Sequence, residues 1–135
     1  MEKLPQAAMK LLAERVVSYG ITLTRTSNCW NDFEEIRDEL HDLRALGMDT
    51  IVNLIYTVSP RHTDDYYARK AHAAAAIRPY RICFKDVGGL LTPERARTLL
   101  PAVLFCVMTT APMKRADLVL GSVSEGKCAS PACQL

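Results

Sequence analysis

The sequence lacks any long basic run and any stripe of cations interleaved with aromatics: 17 Lys and Arg are scattered among 15 Asp and Glu, for a net charge of +2. A surface that tracks a phosphate backbone needs clustered cations, so nucleic acid is excluded as the expected partner. Nor is there an apolar stretch long enough for a bilayer span. The opening MEKLPQAAMKLLAERVV carries acids and alternates polar with apolar residues, unlike the basic-then-apolar order of a signal segment. The expected location is therefore cytoplasmic, with no membrane partner. A disulfide framework is also missing. The five cysteines are odd in number, and Cys29, Cys83 and Cys106 fall in segments that read as structured, where a reduced thiol acts as a small core or near-core hydrophobe. Cys128 and Cys133 form a C-x4-C pair without two further ligands at zinc-like spacing, so no zinc site is expected from them. There is no H-x-H pair, since His41, His62 and His72 stand singly.

What is present is an ordinary globular composition in one domain's length: 135 residues, 49% hydrophobic and 24% charged. Helix and strand signals alternate with little slack. Lys10 to Tyr19 reads as a helix closed by Gly20, and Ile21 to Thr26 as a β-branched strand. Asn31 or Asp32 then caps a helix in which Phe33, Ile36, Leu40, Leu43 and Leu46 recur at helical spacing, ending at Gly47. Asp49 to Val58 is the next strand, broken by Ser59-Pro60. Thr63 or Asp64 caps a helix reaching Ala76, whose alanine run suits close packing on a sheet.

The stretch RICFKDVGGLLTPERA, Arg81 to Ala96, holds the clearest local logic. Ile82, Cys83 and Phe84 form a short apolar run of the kind a parallel sheet covered on both faces produces, with Lys85 and Asp86 at its carboxyl end. Gly88 and Gly89 allow a sharp turn, and Thr92-Pro93-Glu94 combines a hydroxyl cap, a first-turn proline and a first-turn acid, opening a helix to about Cys106. Carboxyl ends of strands are where ligands collect in α/β folds, so the Lys85-Asp86 pair is a candidate site on position alone. The order α-βα-βα-βα implies parallel strands joined by right-handed crossovers. From Val107 the character changes, and residues 107–135 read as a divergent, weakly structured tail after a domain of residues 1–106.

Two separated stretches, YTVSPRHTDDYY and ICFKDVGGLLTPERA, resemble the carboxyltransferase domain of biotin-dependent enzymes such as pyruvate carboxylase and the oxaloacetate decarboxylase α subunit. In that family the wording is close to YTVSPVHT and ICIKDMAGLLTP. Gly20-Ile21 and the segment from Arg25 to Asp32 are also similar to the family's GIDVFRxFDxLND. The resemblance spans about Leu11 to Val103 and implies part of a TIM barrel: the family's fourth, fifth and sixth strands with their helices, preceded by one more helix. It further implies a divalent metal, biotin carried on a partner domain, and a pyruvate-like keto acid as substrate. Lys85 occupies the position of the family's lysine, which becomes a carbamate and binds the metal, so Lys85 is the candidate catalytic residue and metal ligand. The chemistry is sound in itself, because a neutral amine takes up CO2 to give an anionic oxygen ligand.

Arg25, Tyr56 and Thr57 are the candidate substrate-binding residues. Arg25 either holds a carboxylate or pairs with Asp49 or Asp86. Tyr56 and Thr57 line a pocket if they share a face with Lys85, with simple packing as the alternative. The departures from the family weigh against a working centre: the first-strand aspartate and the H-x-H ligands are missing, Asn28 replaces an aspartate, and Val87-Gly88 replaces Met-Ala. The expectation is a shortened carboxyltransferase segment, inactive in isolation. Its rivals are a non-catalytic remnant or interaction module, and a metal-dependent lyase acting on acyl-CoA. The open strand edges and an apolar inner sheet face predict self-association or union with other carboxylase chains.

Overall fold

The computed structural model describes residues 5–110 and 118–122. Helices and strands alternate as α1 (Gln6–Ser18), β1 (Leu23–Ser27), α2 (Arg37–Ala45), β2 (Asp49–Tyr56), α3 (Asp64–Ala76), β3 (Arg81–Asp86), α4 (Pro93–Thr110) and β4 (Leu118–Ser122). The strands form one sheet in the order β1-β2-β3-β4. Every neighbouring pair is parallel. This is the arrangement of a barrel segment, with each helix crossing back to the start of the next strand.

Local chemistry accounts for the helix starts. The Thr63 hydroxyl accepts from the Tyr66 amide at 3.3 Å, and the Thr92 hydroxyl accepts from the Arg95 amide at 3.2 Å, so each satisfies one of the unpaired donors at a helix N-terminus. Helix α2 begins later than its periodicity suggests. Asn31 sits at φ 52, outside the helical region, and Phe33 to Ile36 form turns before the first α-helical residue, Arg37. At the other end Gly47, at φ 80, takes the left-handed conformation that closes the helix.

The strands alternate sides. Val52, Leu54, Tyr56, Ile82 and Phe84 face the helices and join Tyr67, Ala71, Ala74, Ala75, Leu99 and Val103 in the main core. The small alanines of α3 let that helix lie close to the sheet and to α4. A second, smaller cluster of Ala13, Leu43 and Met48, flanked by Val16, Val17 and Leu46, holds α1 against α2.

Three expectations need correction. Helix α4 runs to Thr110, and a fourth strand, Leu118–Ser122, adds to β3 within the segment expected to be weakly structured. Sequence signals there are faint because β4 is short and its stretch has a single apolar cluster. The inner sheet face is not uniformly apolar: the pleat turns Leu54, Ile82 and Phe84 toward the helices and leaves Arg25, Asn53, Arg81 and Lys85 on the other side. Cys29 is exposed rather than near the core, while Cys83 is buried and Cys106 half-buried, and none of the three is in a disulfide among the described residues. Cys128 and Cys133 lie outside the described residues.

Candidate functional site

Lys85 lies where the sequence places it, one residue from the carboxyl end of β3. Its parallel partners are Ile55 on β2 and Gly121 on β4. Parallel partners share a face, so Lys85 stands on the side of the sheet away from the helices, half-buried. Asp86 points the opposite way. Its carboxylate accepts from the amides of Leu90 at 3.0 Å and Leu91 at 2.8 Å. The second half of the Lys-Asp pair is thus a brace for the loop after β3, in which Gly89 at φ 64 makes the turn.

Arg25 shares Lys85's face. Its row across the sheet is Arg25, Ile51, Arg81, which sets the two arginine backbones roughly 10 Å apart by strand spacing. Arg25 is exposed and Arg81 half-buried. Neither alternative partner of Arg25 is realised among the described residues: Asp49, level with Leu23 on the same face, makes no ion pair with it, and Asp86 is on the far side of the sheet holding its loop. The next row is Ser27, Asn53, Cys83, with the Asn53 amide donating to the Ser27 hydroxyl at 2.5 Å. Asn53 is 1% exposed, and its carbonyl oxygen has no hydrogen-bond partner among the described residues.

Tyr56 does not join this face. It aligns with Asp86, one residue out of phase with Lys85, and is buried among aromatic rings, 5.5 Å from Tyr67 and 5.6 Å from Phe84 between centroids. The shared-face expectation for Tyr56 fails because adjacent strand residues point to opposite sides, and the residue level with Lys85 is Ile55. Arg95 is ion-paired with Asp64, and that hydrogen bond is the main cause of a further upward push on the already high Arg95 pKa. Thr57 follows the strand, and its backbone is held at both ends by one side chain: its amide donates to the Tyr67 hydroxyl at 2.8 Å, and that hydroxyl donates to its carbonyl at 2.8 Å. Burial pushes the Tyr67 pKa up to about 12, opposed by this backbone hydrogen bond.

The loop after β1 gives Asn28 and Asn31 roles other than those the sequence suggested. Asn28 accepts from the amides of Trp30 at 2.9 Å and Asp32 at 3.1 Å and donates to Glu35, so the residue in place of the family's aspartate organises the loop. Asn31 is nearly buried and acts as an extra rung of the sheet: its amide donates to the Ile55 carbonyl at 2.9 Å, and its carbonyl accepts from the Ile55 amide at 2.8 Å. Two asparagines three residues apart after a strand were the available signal for such a loop. Arg81 could have been found by counting back in twos from Lys85. His62 braces its own turn through the Ser59 hydroxyl at 2.7 Å, with its ring edge-on to Tyr66 at 4.7 Å.

Among the described residues no group of three or more His, Cys, Asp and Glu is gathered closely enough to hold a metal ion, and Asp86, beside Lys85 in sequence, faces away from it.

An open parallel sheet with helices along one side defines a barrel-type α/β segment. No protein-family model matches the chain. Its sequence is similar to a pyruvate carboxylase subunit of Methanocaldococcus jannaschii, 32% identical over 74 residues, covering 55% of this chain and 13% of that protein. It is also similar to the 2-oxoglutarate carboxylase large subunit of Hydrogenobacter thermophilus, 27% identical over 90 residues, covering 67% of this chain and 14% of that one. In fold it matches the carboxyl transferase domain of Rhizobium etli pyruvate carboxylase with a TM-score of 0.72 at 20% identity, over 90% of this chain and 25% of that chain. Thermotoga maritima Cel5A matches at a TM-score of 0.68 and 15% identity, so fold likeness alone does not choose a chemistry. The chain resembles a carboxylase carboxyltransferase domain, and it spans about an eighth of the length of the sequence relatives it matches.

Proposed function

We propose that the chain serves as the keto-acid side of a carboxyltransferase-type barrel, with Arg25 taking the carboxylate of a pyruvate-like acid and Lys85 presenting its amine above it. The observation that carries this is their common face: Arg25 and Lys85 both stand on the helix-free side, two strands and four residues apart by register. That separation is roughly 16 Å between backbones from strand spacing and rise, which two extended long side chains close only with a small acid between them. The similarity to the Methanocaldococcus jannaschii pyruvate carboxylase subunit supports the substrate class. Biotin and the remaining metal ligands belong, in this reading, to other parts of a carboxylase assembly. Thr57 lies past the end of β2, and its backbone amide and carbonyl are both engaged by the Tyr67 hydroxyl.

A second reading, a non-catalytic interaction module, is favoured by one observation: the Asp86 carboxylate is committed to two loop amides. Titration of the full chain with oxamate, followed by amide chemical shifts, separates the two. Saturable binding that is lost in Arg25→Gln and weakened several-fold in Lys85→Gln, with the circular dichroism of all three proteins unchanged, supports the keto-acid site. No saturable shift in the wild-type chain overturns it in favour of the module.

A further inference from the structure

We propose that two copies of this chain close head to tail into one eight-stranded barrel, independently of whether the keto-acid site operates. The described residues contain four helices and four parallel strands in strict alternation. Two copies supply eight of each, the number at which a parallel sheet with outer helices closes, and closure puts Arg25, Arg81 and Lys85 of both copies on the inner face. Among the described residues β1 pairs only with β2, and β4 only with β3, so each copy offers one open edge at either end of its sheet. Pairing β4 of one copy with β1 of the other, twice, leaves no edge open.

The helix order fits the same closure. In a right-handed β/α array the helix preceding a strand covers the seam between that strand and its predecessor. Helix α1 precedes β1 with no strand before it in the described residues, yet it is already docked on α2 through Ala13, Val16 and Val17. In the closed pair α1 would cover the seam to the other copy's β4 and lie beside that copy's α4. Both of those helices have apolar side chains off their buried faces: Leu11 and Leu12 on α1 are 67% and 52% exposed, and Phe105 and Met108 on α4 are 69% and 67% exposed. Tyr19, Ile21 and Leu23 continue the apolar strip along the β1 flank.

The area is of the right size. A stable dimer buries about 1,600 Å² in total, which is about 400 Å² per copy at each of two seams. Five large apolar side chains on the β1 flank, between 48% and 77% exposed, together with the strand edge, supply an area of that order. Because the contact is head to tail, closure at two copies is what separates it from an open fibre.

Sedimentation of the full chain over a wide concentration range tests this. The expected species is 30.0 kDa, two chains of 15.0 kDa. Leu11→Lys alone and Phe105→Glu alone are each expected to raise the dissociation constant at least tenfold while leaving the circular dichroism unchanged. Mixing the two variants restores the dimer, since the mixed pair has one native seam and one Lys–Glu seam. A wild-type monomer throughout, assemblies that grow past two chains with concentration, single variants that still dimerise, or a mixture that fails to restore the dimer would each overturn the proposal. A charge variant that loses its helical signal is replaced by Leu11→Ser or Phe105→Ser, for which the same weakening is required.

Discussion

Strands β1 and β2 are parallel neighbours in one sheet, yet β2 buries Thr50 through Leu54 without a break and β1 buries nothing. Residue type does not explain the difference. Leu23 on β1 is 48% exposed, while Thr50 on β2 is 5% exposed and Asn53 is 1% exposed. What differs is the number of neighbours among the described residues: β2 has a strand on each side with α2 and α3 packed on it, whereas β1 has one strand and a single side-chain hydrogen bond to α2, from Thr26 to Glu39. Position in the sheet thus decides burial more strongly than hydrophobicity does, and the β1 flank exposes apolar side chains that a further neighbour would cover.

The largest expected effect lies in the centre. Phe84 is fully buried and touches the rings of Tyr56 and Tyr67 at 5.6 and 5.7 Å. Phe84→Ala removes this contact and leaves a cavity, which costs about 3–5 kcal/mol. Urea unfolding monitored by circular dichroism checks it. A loss under about 1 kcal/mol would mean that the core repacks freely and that the contrast between β2–β3 and β1 is not energetic.

The next effect belongs to Tyr67, whose hydroxyl closes the end of β2. Tyr67→Phe leaves the Thr57 amide and carbonyl without that partner, at a cost of about 1–3 kcal/mol near neutral pH. The same residue gives a pH signature. Its folded pKa of about 12 lies above the ordinary 10.0, so its share of stability is complete below pH 10 and is lost as pH rises toward 12, where the unfolded chain ionises and the folded one resists. Stability of the wild type measured from about pH 9 to 12 should therefore fall more steeply than that of Tyr67→Phe. Parallel curves would remove Tyr67 from the account.

Much of this was legible in the sequence, for identifiable reasons. Thr63 and Thr92 announce helix starts because their hydroxyls cap locally, and the run through Ile82 to Phe84 announces a buried strand because apolar content there is continuous. The parallel order follows from alternation and crossover handedness. Lys85 was locatable as a strand-end residue for the same reason. The sheet faces were not. A strand buried on both sides has no polar-apolar alternation to betray its phase, so no local pattern shows that Tyr56 faces the helices and Ile55 shares the face of Lys85. The loop after β1 was hidden for a different reason: Asn31 finds its partner in Ile55, 24 residues away, which no local pattern encodes.

The smallest expected effect sits on the flank and sharpens the comparison most. Leu23 is half exposed at an open sheet edge, so Leu23→Ala in dilute solution, where the chain is a monomer, should shift unfolding by no more than about 0.5 kcal/mol. At concentrations where two copies associate, the same substitution also removes apolar area from the seam, and its cost should rise with protein concentration because dimerisation and stability are linked. Urea midpoints of wild type and variant, measured at low and high concentration, give both numbers. A penalty that is large and independent of concentration would mean that the β1 flank is covered within a single chain, and that β1 and β2 are equals in energy despite their difference in exposure.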